Sequence, residues 1–172
     1  VTLRQGLLRA ARRAPRLLGD ATERVIAFVR DLACREGGYR GRSEDSDLYY
    51  TVFALDALSA LDAPTRPVAS FLEGFGDGAG LDLVHLSCLA RCWAHAGTPP
   101  CREALLARLD AFRSPDGGWA QEPGATHGSA YGAFLAVGAR EDLGADVSED
   151  LIPSLLALRA KDGGFANKPG SA

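Results

Sequence analysis

The sequence predicts an all-α protein, a repeat of helix hairpins arranged in two layers. Three observations predict it. First, a Gly-Gly-aromatic phrase occurs at Gly37-Gly38-Tyr39, Gly117-Gly118-Trp119 and Gly163-Gly164-Phe165, with a worn copy at Gly78-Ala79-Gly80-Leu81. The intervals of about 40, 40 and 46 residues match the period of a helix–turn–helix unit. Second, each unit leads into its turn with an amphipathic helix and leaves it with a helix apolar nearly all round, so one kind faces solvent and the other lines the inside. Third, no segment reads as a strand of useful length.

Taken in order, Leu3 to Ala14 reads as a first helix that ends at Pro15. Asp20 caps a second from Ala21 to Ala33, with Val25, Ile26, Phe28, Val29 and Leu32 as its stripe and Gly37 as its stop. Asp47 sits where exposed N–H groups favour a carboxylate, and opens a helix to about Leu61. There Leu48, Val52, Leu55 and Leu58 recur at helical spacing, widened by Tyr49, Phe53 and Ala57. Pro64 and Pro67 break the chain before a short helix from Val68 to Phe75. Asp77 to Gly80 is a turn, and Leu81 to Ala96 is again apolar. Pro99 and Pro100 begin a helix through Phe112, and a further helix lies near Ser129 to Val137. Ser148 caps the last, Glu149 to Arg159. In the turns glycine is needed because it reaches positive φ without a Cβ penalty.

The 172 residues allow one domain, 1–172, with a real core. A hydrophobic fraction of 47% and a charged fraction of 24% are those of a globular chain. The net charge of −3 gives no case for nucleic acid, although 17 of the 19 basic residues are arginine. No run of 18 apolar residues exists, so no integral membrane segment is expected. Arg4, Arg9, Arg12, Arg13 and Arg16 with Leu3, Leu7 and Leu8 make a basic amphipathic first helix. It reads as a solvated outer helix, with a transit peptide or membrane-surface helix as the alternative. Cys34, Cys88, Cys92 and Cys101 form no CxxC pair, which fits a reducing, cytoplasmic setting. There is no methionine, which fits an alternative start codon, processing or a fragment; the last turn is followed by only seven residues, so truncation at the C-terminus is expected.

With the segments GGYRGRSEDSDLYYTVFALDAL, SPDGGWAQEPGATHGSAYGAFLAVGA and KDGGFANKPGSA in view, the chain resembles the prenyltransferase and squalene-cyclase repeat family, most nearly the protein prenyltransferase β subunits. The resemblance implies an α/α toroid, a double ring of helix hairpins around an apolar cavity that takes an isoprenoid. About four inner-helix starts are present, fewer than a closed ring takes, so an incomplete ring or arc is expected. An arc leaves an apolar flank, which predicts a protein partner or self-association.

In the β subunits a zinc ion is bound by an Asp-x-Cys on one inner helix and a His three residues after an Asp on a following one. By position the first Asp falls on Asp47, Tyr49 stands where the Cys would be, and Asp82-x-x-His85 supplies the histidine. Cys88 lies one turn after His85, and His127 near the start of the third inner helix reads as a loop residue. Zinc would hold an acceptor cysteine as thiolate for attack on an isoprenoid diphosphate. The implied ligands are Asp47, His85 and Cys88; Asp47 as a helix cap, His85 as a hydrogen-bonded interior histidine and Cys88 as core are the competing readings. Tyr49, Tyr50, Phe53, Trp93 and Tyr131 are the expected isoprenoid lining, with core packing as the alternative. Arg40 and Arg42 are the expected pair for the diphosphate, or else a solvated face. The implied activity is transfer of a prenyl group to a cysteine thiol. A non-catalytic toroid-repeat module that binds a protein or apolar ligand is the alternative. A terpene or squalene-type cyclase is a third reading, but Asp45-Ser46-Asp47 is followed by Leu48 where that branch carries a further acid.

Overall fold

The structure, a computed structural model, describes residues 2–170. Among these residues it has nine α-helices and two two-residue strands. The helices are α1 (Leu3–Ala11), α2 (Ala14–Leu18), α3 (Thr22–Asp31), α4 (Leu48–Ala60), α5 (Ala69–Glu73), α6 (Leu83–Ala96), α7 (Arg102–Asp110), α8 (Ala130–Asp142) and α9 (Leu151–Ala157). The strands, β1 (Tyr39–Arg40) and β2 (Ser46–Asp47), pair antiparallel with Tyr39 opposite Asp47. The protein is all-α apart from this clip.

Three long helices carry the architecture. α6 packs between α4 and α8, α3 backs α4, α5 and α7 back α6, and α9 touches α8. α1 lies against both α4 and α8. Each long helix begins with a side chain that satisfies its orphan N–H groups. Asp47 Oδ1 accepts from the N–H groups of Tyr49 (2.7 Å) and Tyr50 (3.2 Å), Asp82 Oδ1 from His85 (2.8 Å), and Ser129 Oγ from Gly132 (2.9 Å). The short helices α5, α7 and α9 have no such side-chain cap, and packing against the long ones holds them instead.

The glycine turns repeat atom for atom. Cys34, Ser114 and Ala160 donate their N–H to the carbonyls of Gly38, Gly118 and Gly164, and Gly37, Gly117 and Gly163 donate back. Those three donating glycines sit at φ of 107°, 86° and 90°, a region costly for any side chain. Tyr39, Trp119 and Phe165 then bridge to Ala33, Arg113 and Arg159 at the end of the preceding helix. The worn copy at Gly78–Leu81 turns differently, with Gly78 donating to Phe75 and no bridge among the described residues. Tyr39 and Trp119 are 1% and 0% exposed, whereas Phe165 is 54% exposed. The first two are covered by the helix that follows: Tyr39 N–H donates to Thr51 Oγ1 (2.9 Å), and the Trp119 carbonyl accepts from Ser129 N–H (2.8 Å).

Several boundaries differ from expectation. Pro15 does not end the first helix; α1 stops at Ala11 and Pro15 lies in the first turn of α2, where its missing N–H has no cost. Asp20 makes no cap bond, because a short 3₁₀ turn at Gly19–Ala21 runs straight into α3. Phe28 is not part of the buried stripe of α3, in which only Ile26 and Val29 are buried. α8 runs on to Asp142, and α9 starts at Leu151 without a side-chain bond at its cap.

Candidate functional site

The long helices present two faces. Leu48, Leu55 and Leu58 of α4, Leu86, Leu89 and Cys92 of α6, and Ala136 of α8 are buried in the core. The other face lines a cavity of about 310 Å³. Its wall is Tyr49, Val52 and Phe53 from α4, Val84, Ser87, Cys88 and Arg91 from α6, and Tyr131, Phe134, Leu135 and Ala139 from α8. Leu7 of α1 closes one side. Tyr49 and Phe53 meet edge to face at 4.8 Å, an arrangement that leaves both rings half open to the cavity. A larger hollow of about 630 Å³ lies between Gln121, Glu122, His127, Asn167 and Lys168. It is bounded by loop residues, Ala120, Ala125 and Pro169 among the polar ones, and no long helix lays a face along it.

Of the residues expected from sequence, Tyr49, Phe53, Tyr131 and Cys88 come together in this cavity. The others fall elsewhere. Trp93 is buried in the core on the opposite side of α6. Tyr50 lies over Gly41, where an added Cβ would enter its ring. Arg40 donates to the Asp31 carbonyl (3.3 Å) and lies 3.8 Å from Glu44, so it ties down its own loop. Arg42 is exposed and outside the cavity wall.

Each of the three expected zinc ligands has another engagement in the fold. Asp47 caps α4. His85 Nδ1 lies 2.7 Å from Asp82 Oδ1 and is held at its own helix start. Burial pushes the Cys88 thiol up to about 11, against the pull of Arg91, so it is protonated at neutral pH. Among the described residues no group of three His, Cys, Asp or Glu side chains is placed to hold a metal ion.

A feature absent from the sequence reading lies at the other end of the cavity. Asp56 of α4, Arg91 and His95 of α6, Asp142 of α8 and Arg4 of α1 form one charged network. His95 Nε2 is 2.8 Å from Asp56 Oδ1, Arg91 reaches Asp56 (3.7 Å) and Asp142 (3.4 Å), and Arg4 Nε donates to Asp142 at 2.7 Å. Because Asp56, Arg91 and Asp142 meet here while Tyr49, Val84 and Tyr131 share the opposite end, the three long helices run parallel. Their negative ends gather where Arg4, Arg91 and His95 can answer them. Ser59 Oγ also lies 3.4 Å from His95 Nδ1, which completes a Ser, His and Asp set. Helix carbonyls crowd this end and give the wrong field for a developing oxyanion, so the set serves to join α4 to α6.

No family model matches the chain, and no curated protein matches it.

Proposed function

We propose that the chain is an arc of an α/α toroid whose inner face binds an apolar, isoprenoid-like ligand. The observation that carries this reading is the half-exposed aromatic wall: Tyr49, Phe53, Tyr131 and Phe134 from two helices, turned toward a cavity instead of into the core. A monomeric globular protein seldom leaves such a surface uncovered without use. The long helices point their positive ends at the cavity's aromatic mouth, a setting that favours the anionic end of a diphosphate there.

Binding without transfer is the better-supported form. Prenyl transfer would need a metal-held thiolate, and Asp47, His85 and Cys88 are each engaged or neutral in their present places. Were zinc taken up, those three residues would be its donors. The test is titration of the purified chain with farnesyl and geranylgeranyl diphosphate, read by quenching of the tyrosines, together with elemental analysis for zinc. Binding that is lost in Phe53→Ala and Tyr131→Ala, with no stoichiometric zinc and no transfer to a cysteine peptide, supports the binding module. Stoichiometric zinc that disappears in His85→Ala would restore the transferase reading. Absence of binding to either diphosphate at micromolar concentration would remove the isoprenoid reading.

A further inference from the structure

α1 is the least anchored helix in contact with the cavity. None of its described residues is buried, and Gly6 sits in its middle, where glycine weakens a helix. Leu7, Leu8 and Ala11 with Arg4 recur at helical spacing and face Phe53, Asp56, Ala57, Ala60 and Arg91 across a hollow of about 280 Å³. A helix laid into a groove by one narrow stripe is a contact made by amphipathic ligands as well as by permanent structure. Among the described residues its one ion pair is Arg4 to Asp142, and the Asp142 side chain is 2% exposed beneath it. The remaining charged groups around Asp142 are Arg91 of α6, at 3.4 Å, and through it Asp56 of α4 and His95 of α6.

We propose that α1 is a releasable closure of the cavity, latched by the Arg4–Asp142 ion pair, so that breaking the pair frees the groove along α4 and α6 for a longer apolar ligand. Among the described residues the latch holds by one charge contact, beside Arg91 and Asp56, over a surface that is otherwise apolar and incompletely filled. Segments with few buried contacts open first, and the long helices, with their buried stripes, stay folded when they do. Leu7 lines both the closed cavity and the hollow beneath α1, so its withdrawal joins the two spaces. The functional consequence rests on reading the cavity as a site for an apolar ligand; the opening itself does not.

Two measurements on the full chain keep those parts distinct. Native-state hydrogen exchange reads the latch: in the wild type, amides of residues 6–12 exchange about a hundredfold faster than those of α4 and α6. In Arg4→Glu, where repulsion replaces attraction, they approach the unstructured rate while α4 and α6 keep their protection. Arg4→Lys retains the wild-type pattern. Nile red, a neutral dye, reads the cavity: Arg4→Glu binds it about tenfold more tightly because the closed state no longer competes. Should Arg4→Glu unfold the long helices as well, Arg4→Gln and wild type in 1 M potassium chloride supply the same comparison. Protection of residues 6–12 equal to that of α4 in wild type and variant alike would overturn the latch. Release of α1 with unchanged dye affinity would overturn its role as a closure.

Discussion

The carboxylate of Asp116 receives the backbone N–H of Gly128, twelve residues along the chain, through both of its oxygens at 3.2 and 3.1 Å. It also accepts from Gly118 N–H, Ser114 Oγ and Ser154 Oγ. One side chain thus ties the third unit's turn to the approach to α8 and to α9. Burial pushes its carboxyl up, but these hydrogen bonds outweigh that and hold it below the ordinary carboxylate range. Asp116→Ala therefore loses about 3 kcal/mol, the sum of a few bonds to a charged group. A carboxyl lowered in the fold contributes its stability above the unfolded value of about 3.9, and that share is lost as pH falls through the folded value. Urea unfolding of wild type and variant at pH 7 and pH 3 checks it: the gap between them narrows in acid.

Two glycines of α8 predict opposite results. A Cβ on Gly132 would collide with the Trp119 carbonyl, and backbone cannot swing aside. Gly132→Ala is expected to cost at least about 2 kcal/mol. A Cβ on Gly138 meets only the Arg91 guanidinium, at 3.5 Å. Gly138→Ala gains about 0.5 to 1 kcal/mol from helix propensity. Thermal denaturation of the two variants side by side decides the matter.

Leu55 and Phe53 lie two residues apart on α4 but on different faces, 1% and 53% exposed. Leu55→Ala should cost about 2 to 5 kcal/mol. Phe53→Ala should cost under about 1 kcal/mol while weakening Nile red binding severalfold. Equal destabilisation by both would mean that the aromatic wall is core.

Trp119 and Phe165 hold equivalent places in two turns, yet only Trp119 is covered, with the Arg113 guanidinium 4.8 Å above its ring. Trp119→Ala is expected to lose about 3 to 5 kcal/mol and Phe165→Ala under about 1 kcal/mol. Chemical denaturation of the two variants measures the contrast.

What the sequence made legible was local. Asp47, Asp82 and Ser129 are cap residues ahead of apolar runs, and the glycine turns carry their own signal, so the starts of α4, α6 and α8 were readable. Which side of an all-apolar helix faces the cavity was not. On α6 the pattern offers Trp93 as readily as Val84 or Ser87, because periodicity carries no contrast when both faces are apolar. The charged network was also out of reach. Arg4 and Asp142 are 138 residues apart, and neither belongs to the Gly-Gly-aromatic phrase. Phe134 and Leu135 lie a full helical turn beyond the start of α8, where no turn or cap signal marks them. The residues that the resemblance implies for zinc have local roles that spacing does not announce: His85 pairs with Asp82, Asp47 holds the α4 N–H groups, and Cys88 is buried.

The long helices keep their stability on one face and their cavity on the other, and this division has an evolutionary consequence. Substitutions at Tyr49, Phe53, Tyr131 or Phe134 reshape the hollow, and on the proposed reading alter what it accepts, while hardly touching the buried leucines that keep the chain folded. Specificity can therefore drift, one side chain at a time, on a scaffold that tolerates each intermediate.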